Sequence, residues 1–375
     1  MRRRDDLSMM RFAALAALLW LIGGWAAPGV GQSERVLSPQ DAGAVRVGVL
    51  GLFHPRELVL RPVDGSGLVL QGGDRRESLS IDSRVVVTVA ANGQIEIRAG
   101  ADGGKFDETS LFAHGESSEA AGPADFLLEV PGKLGRRYEG TIEIRARENL
   151  LEAVVSMPLE TAVASVVEAE SPPGAGAEAL KAQAVAARSF LVARQTSHAD
   201  FDFCDTTHCQ FLRSPPLPGS PASAAARATA GLVLTWHDES TAQEHTLAAM
   251  YARSCGGRTK TLAQIGVHAK GYPYYAVRCA YCNRHPEVWK REETSNPQTE
   301  RGRLAFNRIH GWGSLPSVAT AGDGSRNAWI SGRGTGHGVG LCQLGAAEMA
   351  RQGAGFAAIL AHYYPNTRLT AIPRS

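Results

Sequence analysis

Glu170 is the acidic residue best placed for chemistry. Leu159, Val163, Val166 and Val167 follow Pro158 at helical spacing and form one apolar stripe. Glu170 falls on that stripe, three residues beyond Val167, while Glu160 and Glu168 fall on the other side. The Pro172-Pro173 pair ends the helix just after Ser171, because a residue before proline is pushed out of the α region. A carboxylate at a helix C-terminus on the buried face meets both desolvation and the negative end of the helix dipole, and both favour its protonated form. That is the environment of a general acid. A structural reading stands beside it. The alanine-rich segment from Glu178 to Arg194 reads as a second helix with Lys181 and Arg188 two turns apart on one face, and either cation could pair with Glu170.

Two other groups of residues carry chemical potential. In SHADFDFCDTTHCQFL, His198, Cys204, His208 and Cys209 bring two nitrogen and two sulfur donors within twelve residues, a set suited to tetrahedral zinc. A closed four-ligand site would be structural, since a catalytic zinc keeps one position open. A Cys204–Cys209 disulfide is the competing reading. Cys255, Cys279 and Cys282 form a further set, read as a disulfide among the three, with a second metal site including His285 as another option. Near the C-terminus Gly332, Gly334, Gly336, Gly338 and Gly340 alternate around His337 and precede a helix from Gln343 to Gln352. This run does not satisfy Gly-x-Gly-x-x-Gly, which argues against a nucleotide. A histidine among glycines has no packing neighbours in sequence, which favours a functional role.

The order of these motifs carries a resemblance. A helix ending in Val-Val-x-x-Glu-x-Pro, then ALKAQAVAARSF, then GHGVGLCQLGA and HYYPNT, resembles the SpoIID/LytB family of stage II sporulation protein D and amidase enhancers, from about Tyr138 to Leu369. The resemblance implies a peptidoglycan lytic transglycosylase acting on peptide-stripped glycan strands, with Glu170 as acid and base. It also implies a structural zinc at His198, Cys204, His208 and Cys209, with no cofactor needed for catalysis. Tyr251, Ser254, Gly256 and Gly257 would line the cleft, with His337 and Gln343 turned towards sugar hydroxyls or the glutamate. Lys181 and Arg188 complete the expected substrate-binding set. Ser171 stands where the family usually has methionine, and Thr335 where tryptophan is frequent. Hydrolytic glycosidases usually need two carboxylates, whereas a transglycosylase can use one, because the attacking hydroxyl belongs to the substrate. The alternative is a non-enzymatic peptidoglycan-binding enhancer of a cell-wall amidase. A zinc hydrolase is disfavoured by four apparent ligands and no His-Glu-x-x-His.

The elements that must position these residues read as α+β. From Val45 to Arg147 short β-branched runs such as VRVGVLGLF, SRVVVTVAA and TIEIRA alternate with Gly, Asp and Asn turns, an antiparallel β-rich region at 45–147. A mixed α/β catalytic core follows at 148–372, and the stretch from Ala99 to Pro123 reads as a long exposed loop. The region from Arg291 to Asn327 is polar and irregular. A net charge of +2 over 375 residues is too mild to imply nucleic acid. Arg2, Arg3, Arg4 and Arg11 precede an apolar run from Phe12 to Ala27, so residues 1–31 read as a secretory signal or, uncleaved, an N-terminal anchor. The body is therefore expected in the cell envelope, with glycan strands and an amidase as its partners.

Overall fold

Alternation of buried and half-buried residues builds most of the first half of the chain into one antiparallel sheet. The computed structural model describes residues 43–63, 67–99, 104–116, 122–193, 198–268, 270–293, 319–321 and 328–372. The chain divides into Met1–Ser38, where the expected signal segment lies outside the described residues, and one unit, Pro39–Ser375. No helix among the described residues is long and apolar enough to cross a membrane.

Twelve strands share the large sheet: β1 (Ala44–Val49), β2 (Glu57–Pro62), β3 (Leu68–Gly72), β4 (Arg75–Leu79), β5 (Val85–Val89), β6 (Ile95–Ala99), β7 (Gly104–Glu108), β8 (Ser110–Gly115), β9 (Ala124–Val130), β10 (Leu134–Arg147), β11 (Leu150–Pro158) and β12 (Phe203–Cys204). Its main path runs β12-β1-β11-β10-β9-β2-β5-β6-β7, and β8 carries β3 and β4 as a branch from β10. β10 makes the branch possible. Its first half pairs with β9 and its second half with β8 and β11. The change occurs at Gly140, where a Cβ would collide with the Ser156 carbonyl, so only glycine allows the sheet to curl there. Tyr138, Ile142 and Ile144 alternate inward along β10 and are fully buried. Burial of each such side chain stabilises the fold by about 1.5–3 kcal/mol.

One expectation changes here. The stretch from Ala99 to Pro123 is not one long loop: β7 and β8 lie within it. The boundary between 147 and 148 falls in the turn of the β10–β11 hairpin, where Glu148 and Asn149 both take positive φ. The β-rich region and the core are thus joined by a hairpin and share a sheet through β11 and β12. Within Arg291 to Asn327, β16 (Val288–Glu293) and β17 (Ala319–Ala321) pair with β18 (Ala328–Arg333), and the remainder lies outside the described residues.

Pro158 ends β11 and α1 (Leu159–Glu170) starts at once, so the sheet delivers the chain directly into the helix. The apolar stripe faces inward as its spacing requires, with Leu159, Val163, Val166 and Val167 all buried. α2 (Ala177–Ala193) is alanine-rich because it is enclosed. Small side chains let α1, α3 (Pro221–Ala228), α5 (Gln343–Arg351), α6 (Phe356–Tyr363) and β13 (Leu232–Asp238) all pack against it. Ser220 caps α3 by accepting the Ser223 N–H at 3.1 Å. β13 pairs with β14 (Gln243–Thr246) and with β20 (Thr367–Ala371). A short parallel pair, β15 (Tyr251–Ala252) with β19 (Leu341–Cys342), sets Tyr251 opposite Leu341, two residues before Gln343. The short helix α4 (Ala280–Arg284) packs against α5.

Candidate functional site

Glu170 is the last residue of α1, and the helix stops there because Ser171 turns to an extended conformation before the two prolines. Its carboxyl opens into a cleft of about 630 Å3 lined also by His208, Gln210, Tyr251, Arg253, His337 and Gln343. One oxygen is anchored: Oε1 accepts the Phe211 N–H at 2.5 Å and the Tyr251 O–H at 3.3 Å. Oε2 has no hydrogen-bond partner among the described residues. Burial pushes the carboxyl up from 4.5 to about 7, against the opposing pull of the two donors. Its position at the negative end of α1 acts in the same direction as burial.

No cation pairs with Glu170 among the described residues, so the ion-pair reading does not hold. Arg188 is wholly buried and grips Glu160 through Nε and Nη2 of its guanidinium, at 2.8 and 2.6 Å. It also donates to the carbonyls of Ala226 and Leu232, each at 3.1 Å, and thereby ties α1 and α2 to α3 and β13. Lys181 pairs with Glu178 at 2.6 Å, one turn back on its own helix. The expected substrate-binding role of Arg188 is therefore corrected to a core tie. Lys181 is not among the residues that line the cleft.

The other expected residues divide by depth. His337 and Gln343 line the cleft with Glu170. Gln343 donates to the backbone carbonyl of Glu170 at 3.0 Å and to Gln183 at 3.4 Å, so it caps the end of α1 rather than touching the carboxylate. His337 accepts the Val339 N–H on Nδ1 at 3.0 Å, which leaves its proton on Nε2, where the Tyr251 backbone lies as a partner. Burial pushes it down to about 4, so it is neutral at pH 7 and positions the strand that carries Tyr251. Ser254, Gly256 and Gly257 sit behind the cleft wall. Ser254 is buried and its backbone pairs with Thr335, while a Cβ on Gly256 would meet the Arg333 carbonyl at 2.6 Å. They shape the wall without lining it.

His198, Cys204, His208 and Cys209 come together as the donor set required. One ligand atom from each lies within 4.8 Å of the other three. His198 Nε2 stands 3.3 Å from the Cys209 sulfur, and His208 Nδ1 stands 3.5 Å from Cys209 and 3.7 Å from Cys204. Bond lengths of about 2.0–2.3 Å to a tetrahedral ion imply donor separations of about 3.5 Å, so the four residues fit zinc. The sheet fixes one of them, because β12 places Cys204 beside Gly48 on the edge of β1. Sharing of the Cys209 thiol proton lowers Cys204 to about 3, as a thiolate ligand requires.

Sequence reasoning missed the Phe211 N–H, since a backbone donor leaves no trace in residue type. Its one indirect signal is its place two residues after Cys209. Arg253 and Glu287 were also missed. Glu287 accepts from Arg253 Nε at 3.2 Å and from Thr335 Oγ1 at 2.7 Å, so both its oxygens are engaged, and Glu170 is the only carboxylate among the described residues that line the cleft.

Compared with known proteins, residues 147–236 match the SpoIID family model, described as stage II sporulation protein. The matched span contains α1, α2, Glu170 and the His/Cys cluster. The chain is also similar to an uncharacterized protein of Brachyspira hyodysenteriae, 24% identical over 271 residues, which covers 61% of this chain and 71% of that protein.

Proposed function

From the match of residues 147–236 to the SpoIID family model, a family with a cell-wall function, we propose that this chain is a peptidoglycan lytic transglycosylase that uses Glu170 as its single acid and base. The observation that carries the reading is the setting of that carboxyl: one oxygen is held by two donors, the other has no partner and no cation pairs with it among the described residues, and burial pushes its pKa up to about 7. Such a group holds a proton for delivery and can accept one back. Glu170 protonates the glycosidic oxygen between N-acetylmuramic acid and N-acetylglucosamine. Its carboxylate then takes the proton from the muramoyl C6 hydroxyl, which attacks C1 and closes a 1,6-anhydro ring. The attacking oxygen is already part of the substrate, so no second carboxylate is required. Peptidoglycan lies outside the cytoplasmic membrane, and this reading therefore requires the export suggested by the N-terminal segment.

The pH profile tests the assignment. A reaction that begins from protonated Glu170 loses rate as pH rises through about 7. Tyr251→Phe removes a donor that favours the carboxylate, so its alkaline limb should move to higher pH. Rates of glycan release from pH 5 to 9 in the two proteins check this, and a limb that stays in place or moves down would overturn it.

In this reading His198, Cys204, His208 and Cys209 hold a structural zinc. The ion closes the loop whose next residues deliver the Phe211 N–H to Glu170. Cys209→Ser should lose that zinc and, by misplacing the donor, slow cleavage roughly a hundredfold. Elemental analysis beside the rate checks both. An unchanged metal content would remove zinc from this site.

A further inference from the structure

Four cysteines outside the cleft meet in the core. The sequence groups Cys255, Cys279 and Cys282. The fold adds Cys342, sixty residues beyond Cys282, and buries all four. Their sulfurs lie within 4.8 Å of one another, and Cys282 stands 3.5 Å from Cys342. A disulfide requires about 2.05 Å. Four thiolates about 2.3 Å from one tetrahedral ion stand about 3.8 Å apart, compatible with the 3.5 Å between Cys282 and Cys342 and the 4.8 Å limit on all four. Thiolates of an iron–sulfur cluster bind different irons and so stand farther apart than a single ion requires.

The surroundings are those of a charged sulfur centre. Ser254 Oγ lies 3.5 Å from the Cys282 sulfur, Tyr363 donates its O–H to Cys279 at 3.5 Å, and the Cys255 N–H points at Cys342 at 3.4 Å. Such donors stabilise metal-bound thiolates. Gly345 of α5 faces the cluster, and a Cβ there would meet the Cys279 sulfur at 2.5 Å, so the helix approaches this closely only without a side chain. Lys260 is buried, its ammonium has no hydrogen-bond partner, and its charge interacts with Cys255. Four thiolates around a divalent ion leave two net negative charges, which a buried cation offsets.

We propose that Cys255, Cys279, Cys282 and Cys342 form a second, structural metal site that takes one tetrahedral divalent ion, zinc in the first instance. Cys279 and Cys282 supply a Cys-x-x-Cys pair from the start of α4, Cys255 follows β15, and Cys342 ends β19. The ion fastens together the segments that carry Tyr251 and Gln343, four residues before Cys255 and one after Cys342. It is independent of the reaction assigned to Glu170.

The test is metal stoichiometry on the full chain purified with and without added Zn2+. Two zinc ions per wild-type chain are expected, and one in Cys209→Ser. That variant, refilled with Co2+, should show the thiolate charge-transfer and ligand-field bands of four-sulfur tetrahedral coordination. Cys282→Ser should also hold one zinc, lost on adding Cys209→Ser; if Cys282→Ser does not fold, the Cys209→Ser measurements still decide. A Cys209→Ser chain that binds neither Zn2+ nor Co2+, or non-reducing peptide maps that join these four cysteines in disulfides, would overturn the site.

Discussion

Glu170→Gln should lower glycan cleavage by at least about a hundredfold while making the protein more stable at neutral pH. General acid–base catalysis contributes roughly 10²–10⁴-fold, and glutamine can neither donate nor recover the proton. The stability effect follows from the raised pKa. Between pH 4.5 and about 7 the unfolded chain has released the Glu170 proton and the folded chain still holds it. Stability therefore falls as pH rises through that window and stays reduced above it. A shift of this size corresponds to about 2–3 kcal/mol after allowance for partial exposure. Glutamine carries no charge to desolvate and escapes the penalty, so the variant should exceed the wild type in urea unfolding at pH 8 and match it near pH 4. An inactive variant with no pH-dependent gain would mean that the carboxyl is not buried as described. Retained cleavage would remove Glu170 from the chemistry.

Arg188→Met should cost about 3 kcal/mol of stability and leave cleavage per folded molecule nearly unchanged. The guanidinium is wholly buried, and its loss leaves Glu160 with the Gly231 N–H and without a cation, and strands two carbonyls that it now satisfies. Breaking a buried pair costs about 3–5 kcal/mol. The lower end applies because the Glu160 side chain is 38% exposed and water partly replaces the lost partner. Methionine keeps the stem volume, so the change reports on the charge rather than on a cavity. Denaturant midpoints and glycan-release rates of the same preparation check the two halves. A variant of normal stability with weakened glycan binding would return Arg188 to the cleft.

Legibility in the sequence followed the range over which each feature is encoded. The α1 stripe and the Pro172-Pro173 stop are local, and together they define both the helix end and the face on which Glu170 lies. The His198 cluster is also local, with all its ligands within twelve residues. Arg188 was ambiguous because helical spacing shows which face it occupies but not which carboxylate meets that face. Its partner Glu160 lies twenty-eight residues away, across the helix pair. Cys342 could not be joined to the other cysteines for a similar reason, since the β15–β19 pairing that brings it in leaves no local pattern. β7 hid among glycines and charges and β8 carries no β-branched residue, so both lack the β-branched alternation that marked β5 and β10.

In the proposed reaction one carboxyl, Glu170, cleaves glycan by internal cyclisation. Mass spectrometry of the soluble products from intact and from amidase-treated peptidoglycan tests it most directly, with wild type and Glu170→Gln side by side. Fragments ending in 1,6-anhydro-N-acetylmuramic acid are expected, more abundant from the peptide-stripped substrate and lost in Glu170→Gln. Reducing ends in their place, or no fragments from either substrate while an added amidase is stimulated, would contradict it.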